Sequence, residues 1–313
     1  MEIYKERNFS EVFSDSFGFI RQNFKSILLS FLIIAGPFVF IRAFSASYIL
    51  ANSFGNIYGN SLGTFSIGSI ISLIFGVLSY LIILGIVAEY YFIKAENPDA
   101  DINYQDIIQR LKKDFGILFS TFLYTLLLSL LVGLAFGIVF FVFGMLLAGV
   151  PIVGAILMFF LVIGLFIIVP NLSFLVVALY MIRLKDRKSF SDALSIAYNL
   201  TMENYWQTWV VVFVAMLLVS VIIGVSSFIL GILIAVQAFN TASVSTDSFS
   251  WVSIVGFFIE FVTQFIQMIL IFITMLWAFS LYEKKFAVGM QQKLNEIGNT
   301  ESDSNNDDQP LII

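Results

Sequence analysis

The chain has 313 residues, of which 59% are apolar and only 12% charged, with a mean hydropathy of +0.96. A soluble domain carries about twice that charged fraction. With no Cys and no His, the chain has no disulfides, thiolate nucleophiles, imidazole bases or His-ligated metals. Its net charge of −5 comes mainly from Glu301, Asp303, Asp307 and Asp308, a distribution with no footprint for nucleic acid.

Fifteen of the sixteen Lys and Arg residues fall in residues 1–25, 94–113, 183–188 and 284–293; Arg42 alone lies in the apolar tracts between them. Cationic side chains resist translocation, so this spacing predicts a chain that crosses a bilayer and returns three times, with both termini cytoplasmic. Each tract exceeds the roughly 20 residues that a helix needs to cross about 30 Å of hydrocarbon. The roughly ten-residue alternating segments of a membrane β-barrel are missing.

In chain order, residues 1–25 are amphipathic and punctuated by Glu2, Glu6, Glu11 and Asp15, which reads as a mature cytoplasmic segment rather than a cleaved signal. Six spans follow, at about 26–50, 65–93, 116–148, 152–182, 207–238 and 252–282. The third and fourth share one apolar tract. Gly149-Val150-Pro151 divides it, because Pro cannot continue a preceding helix. The external connections near residues 52–64 and 240–250 are rich in Ser, Asn, Thr and Gly, without Lys or Arg. Residues 1–298 therefore form one membrane domain, and the acidic segment 299–313 is expected to be a disordered tail.

A short motif precedes each hairpin: Asn8-Phe9-Ser10-Glu11-Val12-Phe13, Asn103-Tyr104-Gln105-Asp106-Ile107-Ile108 and Ser189-Phe190-Ser191-Asp192-Ala193-Leu194. Each sets a capping residue three positions ahead of an acid, which predicts a helix start. Each helix is expected to be amphipathic, to lie in the cytoplasmic interface and to end at Asn23-Phe24, Asp114-Phe115 or Asn204-Tyr205. The copies are 95 and 86 positions apart, giving parallel repeats at about 8–93, 103–182 and 189–283 related by a pseudo-threefold axis. The fold class expected is all-α: a six-helix polytopic bundle of three hairpins, each preceded by an interfacial helix.

An interfacial helix of the form Phe9-Ser10-Glu11-Val12-Phe13 … Phe19-Ile20-Arg21-Gln22-Asn23-Phe24, running into six spans, resembles the membrane domain associated with glycerophosphoryl diester phosphodiesterases. It is also similar to that domain's stand-alone bacterial relatives. The resemblance covers roughly residues 8–290 and implies a multi-pass fold in a cell (inner or plasma) membrane. It implies no phosphodiesterase chemistry, which in that family sits in a separate soluble barrel that no stretch here can form.

Charge inside a bilayer is costly and marks candidate sites. In the sixth span Glu260, Thr263, Gln264, Gln267 and Thr274 share one helical face. That face is either a polar lining for a path or a stripe bonded to neighbouring helices, at about 0.6 kcal/mol per contact. Arg42 lies roughly 25 Å up the first span at 1.5 Å per residue, within reach of Glu260 or able to snorkel outward. Glu89 reads as an interface residue, and Pro37 and Pro170 as kinks. Small residues at Ser129-Gly133-Gly137, Ser220-Gly224 and Ser227-Gly231 read as close packing within the bundle, with homo-oligomerisation the weaker option.

Phosphate loops, nucleophile elbows and zincin motifs are all absent from the sequence. The expectation is a non-enzymatic membrane protein, with no cofactor or metal, that organises lipid or a membrane protein partner. The alternative is a transporter or channel for a small solute or lipid that uses the polar face of the sixth span. A lipid-active enzyme working with carboxylates alone is the weaker third reading.

Overall fold

The computed structural model describes residues 2–55, 67–240 and 251–287. Their helices are α1 (Phe9–Gln22), α2 (Phe24–Ser30), α3 (Gly36–Gly55), α4 (Ile67–Glu96), α5 (Tyr104–Gly149), α6 (Pro151–Asp186), α7 (Phe190–Glu203), α8 (Tyr205–Asn240) and α9 (Trp251–Phe286). No strand occurs among the described residues. Six stretches are long and apolar enough to cross a membrane, the first formed by α2 running through a π-helical turn into α3. Residues 56–66 and 241–250, where external connections are expected, and 299–313, the expected tail, lie outside the described residues.

The caps start the helices as their chemistry dictates. Glu11 N donates to Asn8 Oδ1 and Asn8 N to Glu11 Oε2, both at 2.9 Å, which satisfies two end amides reciprocally. Asn103 N donates to Asp106 Oδ2 at 3.3 Å, and Asp192 N to Ser189 Oγ at 3.2 Å. Breaks at Asn23 and Asn204 end α1 and α7. Each Asn leaves helical geometry (φ −107° and −122°) while its amide donates to the carbonyl four residues back, Phe19 O and Leu200 O.

The second copy departs from this pattern. No break occurs at Asp114-Phe115, and α5 runs unbroken through the expected interfacial helix and its span. Counted from the caps, the position of Asn23 and Asn204 holds Leu118 in this copy. A buried leucine has no amide with which to bend the helix, and Leu118 packs beneath Gly85 instead.

Helix neighbours follow a cyclic order. α3 packs on α4, α5 on α6 and α8 on α9 within hairpins; between hairpins α4 meets α5, α6 meets α8, and α9 returns to α3. The second helices of the hairpins, α4, α6 and α9, also touch one another and form the centre. α1 and α7 pack by the same register: Val12, Ser16, Phe19 and Ile20 on one, Ala193, Ala197, Leu200 and Thr201 on the other, are all buried.

The centre is filled, not hollow. Phe19 stacks on Tyr91 at 5.1 Å, and Tyr91 meets Phe272 and Phe279 at 5.6 and 5.7 Å. Its hydroxyl donates to Phe272 O at 2.9 Å, so the polar tip is satisfied. The basic segments share one end of the bundle, tied by Arg187–Asp114 at 2.6 Å, Lys285–Glu203 at 2.6 Å and Tyr282–Asp186 at 2.8 Å.

Two further expectations are corrected. Gly133, Gly137, Gly224 and Gly231 have nothing within 4 Å of where a Cβ would stand, so these stripes do not pack within the bundle. α5 and α8 are outer helices, and these glycines lie on faces that meet no other helix. Glu89, read as an interface residue, is only 2% exposed. The α5–α6 hairpin does turn at Val150, between Gly149 and Pro151, and a Cβ on Gly154 would collide with the backbone of Leu147 across it.

Candidate functional site

α3 carries Arg42 past Gly76 of α4, where an added Cβ would sit 3.2 Å from the guanidinium Nε. The absent side chain lets the arginine cross between helices. Arg42 Nη2 then lies 3.2 Å from Glu260 Oε1 on α9, and Gln264 Nε2 donates to the same oxygen at 3.2 Å. Both charged side chains keep 28% of their exposure. The structure thus joins Arg42, Glu260 and Gln264 in one network. Gln264 and Thr263 are buried and Gln267 is half-buried; Thr274 donates to Leu270 O of its own helix.

A cleft of about 630 Å³ opens between α4 on one side and α5 and α6 on the other, with Arg42 at its edge. Glu260, Thr263, Gln264 and Gln267 are not among its walls. Of the polar face expected on the sixth span, Glu260, held by Gln264, is what supports Arg42 from outside the cleft. The cleft's own polar groups are hydroxyls: Ser69, Ser72 and Tyr80 on α4, Thr125 and Ser129 on α5, and Tyr180 on α6. Thr125 and Ser129 donate to Thr121 O and Leu126 O, both at 2.8 Å, which leaves their oxygens able to accept. One turn below Thr125, Arg183 Nη1 donates to Thr121 Oγ1 at 3.0 Å, while its Nε is buried without a partner.

Sequence reading missed this wall. Ser69, Ser72, Gly76 and Tyr80 recur every three or four residues along α4, as do Thr121, Thr125 and Ser129 along α5. That spacing places each set on one helical face.

At the two prolines, nearby groups meet the backbone locally. Pro170 has no N–H for Phe166 O, four residues back, and Trp209 Nε1 of α8 donates to that carbonyl at 3.3 Å. Before Pro37, the π-helical turn Phe31–Ala35 closes with Gly36 N donating to Phe31 O.

No family model, curated protein or solved structure matches this chain.

Proposed function

We propose that this chain is a non-enzymatic, multi-pass membrane protein that binds and organises lipid, taking an anionic lipid group into the cleft between its first and second hairpins. The observation that carries this reading is the cleft itself: a guanidinium at its edge, hydroxyl acceptors and donors along its walls, and apolar helices around it. Such a site offers charge-assisted bonds to a phosphate or carboxylate and hydrocarbon contact to its chains. Tyr91, Phe272 and Phe279 fill the centre, which argues for a lateral ligand over a solute crossing along the axis. The distribution of Lys and Arg supports a cytoplasmic basic end. The shared register of α1 and α7 and the cyclic helix order support a parallel threefold repeat. The resemblance to the phosphodiesterase-associated membrane domain belongs with this proposal as a statement about architecture.

Native mass spectrometry of the protein released from nanodiscs of mixed phosphatidylglycerol and phosphatidylethanolamine tests the cleft. Wild type is expected to retain an anionic lipid, and Arg42→Gln to lose about tenfold in occupancy, the scale of one charge-assisted bond. An unchanged lipid profile in a variant that still melts cooperatively would overturn the reading. The Arg42–Glu260 pair also favours a second reading, transport. Its signature is substrate uptake lost in Glu260→Gln with lipid retention intact.

A further inference from the structure

A second cavity, of about 740 Å³, lies at the basic end where the ring of helices closes. Its walls come from the segment entering α1, the start of α8 and the end of α9. This seam has a counterpart between the second and third repeats, and the two differ in one way that matters. There Phe190, the residue after the cap of α7, lies on Tyr124 of α5 with ring centres 4.8 Å apart. Here Phe9, the residue after the cap of α1, turns onto Phe13 of its own helix at 4.9 Å. Val210 lines the cavity, and the 86-residue offset between the second and third caps carries Tyr124 onto Val210. A slot that an aromatic pair fills in one seam is empty in the other.

The walls are chemically specific. Trp206 is 65% exposed and groups with Tyr205 and Trp209, the aromatic clustering typical of a membrane–water boundary. Trp277 forms a fixed wall, its indole N–H donating to Thr208 Oγ1 at 3.1 Å. The floor is held by Arg7 N donating to Ser280 Oγ at 2.8 Å. Two opposite charges face the space. Among the described residues Glu6, which is exposed, forms no ion pair, and Lys284 reaches only the amide oxygen of Asn204, at 3.4 Å. Arg7, by contrast, is committed to Asp15 and to backbone carbonyls and has no charge to lend.

The geometry points to a headgroup site for a zwitterionic aminophospholipid, in which Lys284 takes the phosphate, Glu6 and the face of Trp206 take the ammonium, and Val210 and Leu281 meet the glycerol and upper chains. A cation is held by a carboxylate and an indole face together, and the phosphate by an ammonium. An anionic headgroup would satisfy Lys284 and leave Glu6 repelled. The site is separate from the Arg42 cleft and does not rest on the function proposed for it.

Quenching of tryptophan fluorescence by brominated-chain lipids in detergent micelles tests the inference on the full chain. Brominated phosphatidylethanolamine is expected to quench the wild type at lower mole fraction than brominated phosphatidylglycerol. Glu6→Gln should weaken phosphatidylethanolamine about fivefold and, by relieving the repulsion, strengthen phosphatidylglycerol, while Lys284→Gln should weaken both about fivefold, the scale of one exposed charge contact. Val210→Tyr should fill the slot and abolish the preference. Because Glu6 is exposed, Glu6→Gln keeps the test decisive even where Val210→Tyr folds poorly. Equal quenching by both lipids in the wild type, or a preference that survives Glu6→Gln, would overturn the site. Arg42→Gln should leave this quenching untouched, which separates failure here from failure of the cleft reading.

Discussion

The Arg42–Glu260 pair allows a prediction with a defined sign. At 3.2 Å and an effective dielectric near 20, the attraction is about 5 kcal/mol. Holding each charge within the hydrocarbon costs about 3 kcal/mol on insertion scales. The pair thus stands about 1 kcal/mol worse than two leucines, while either charge alone stands about 3 kcal/mol worse. Arg42→Leu and Glu260→Leu should each destabilise by about 2 kcal/mol, and the double variant should be about 1 kcal/mol more stable than the wild type. Gln264, donating to Glu260 Oε1, softens the loss in Arg42→Leu, which should be the milder single variant. Reversible unfolding in bicelles, followed by steric trapping, measures all three. Additive single variants, with coupling under about 0.5 kcal/mol, would refute the pair as an energetic unit.

Three other outcomes follow from the packing. Gly154→Ala should destabilise by about 1–3 kcal/mol, since its Cβ meets the Leu147 backbone rather than a movable side-chain end; thermal unfolding in nanodiscs reads it. Trp209→Phe should cost about 1 kcal/mol by stripping the donor from Phe166 O, and should cost little in a Pro170→Ala background, where residue 170 regains its own N–H. Burial, then the charges of Asp186, Glu283 and Glu96, push the Tyr4 phenol up to about 12. A raised pKa means that the native state holds the proton more tightly. The stabilisation is therefore complete below the ordinary value of about 10 and is lost as pH climbs toward about 12. Melting temperatures from pH 9 to 11.5 should fall further for wild type than for Tyr4→Phe.

Much of the architecture was legible because hydrocarbon imposes simple constraints. Spans, caps and the turn at Gly149-Val150-Pro151 each rest on a local rule that no tertiary contact overrides. The site was legible only as pairs of possibilities. Arg42 and Glu260 could be placed at similar depth by counting residues, but whether they met depended on Gly76, whose bare backbone lets the guanidinium through. The small-residue stripes were misread because spacing gives a face and not what the face meets; only the position of α5 and α8 on the outside of the bundle decides that. Trp206 and Lys284 carry no spacing signal at all, since they come from the start of α8 and the end of α9 and come together only at the open, basic end of that hairpin.

The unbroken run of α5 through Leu118 lies just below the cleft. In the first and third copies an Asn amide bonds the carbonyl four residues back, and the chain changes direction before entering the hairpin. With Leu118 at that register, α5 leaves the basic end as an unbroken rod, its base pinned to α4 where Leu111 and Leu118 lie against Gly85. The first α5 residue to line the cleft is Phe122, one turn past Leu118. Thr125 and Ser129 follow on the same face, and with Ser72 and Tyr80 of α4 they line the cleft. The leucine that stands where the other two motifs have an asparagine thus packs on α4 one turn below the space that Arg42 lines.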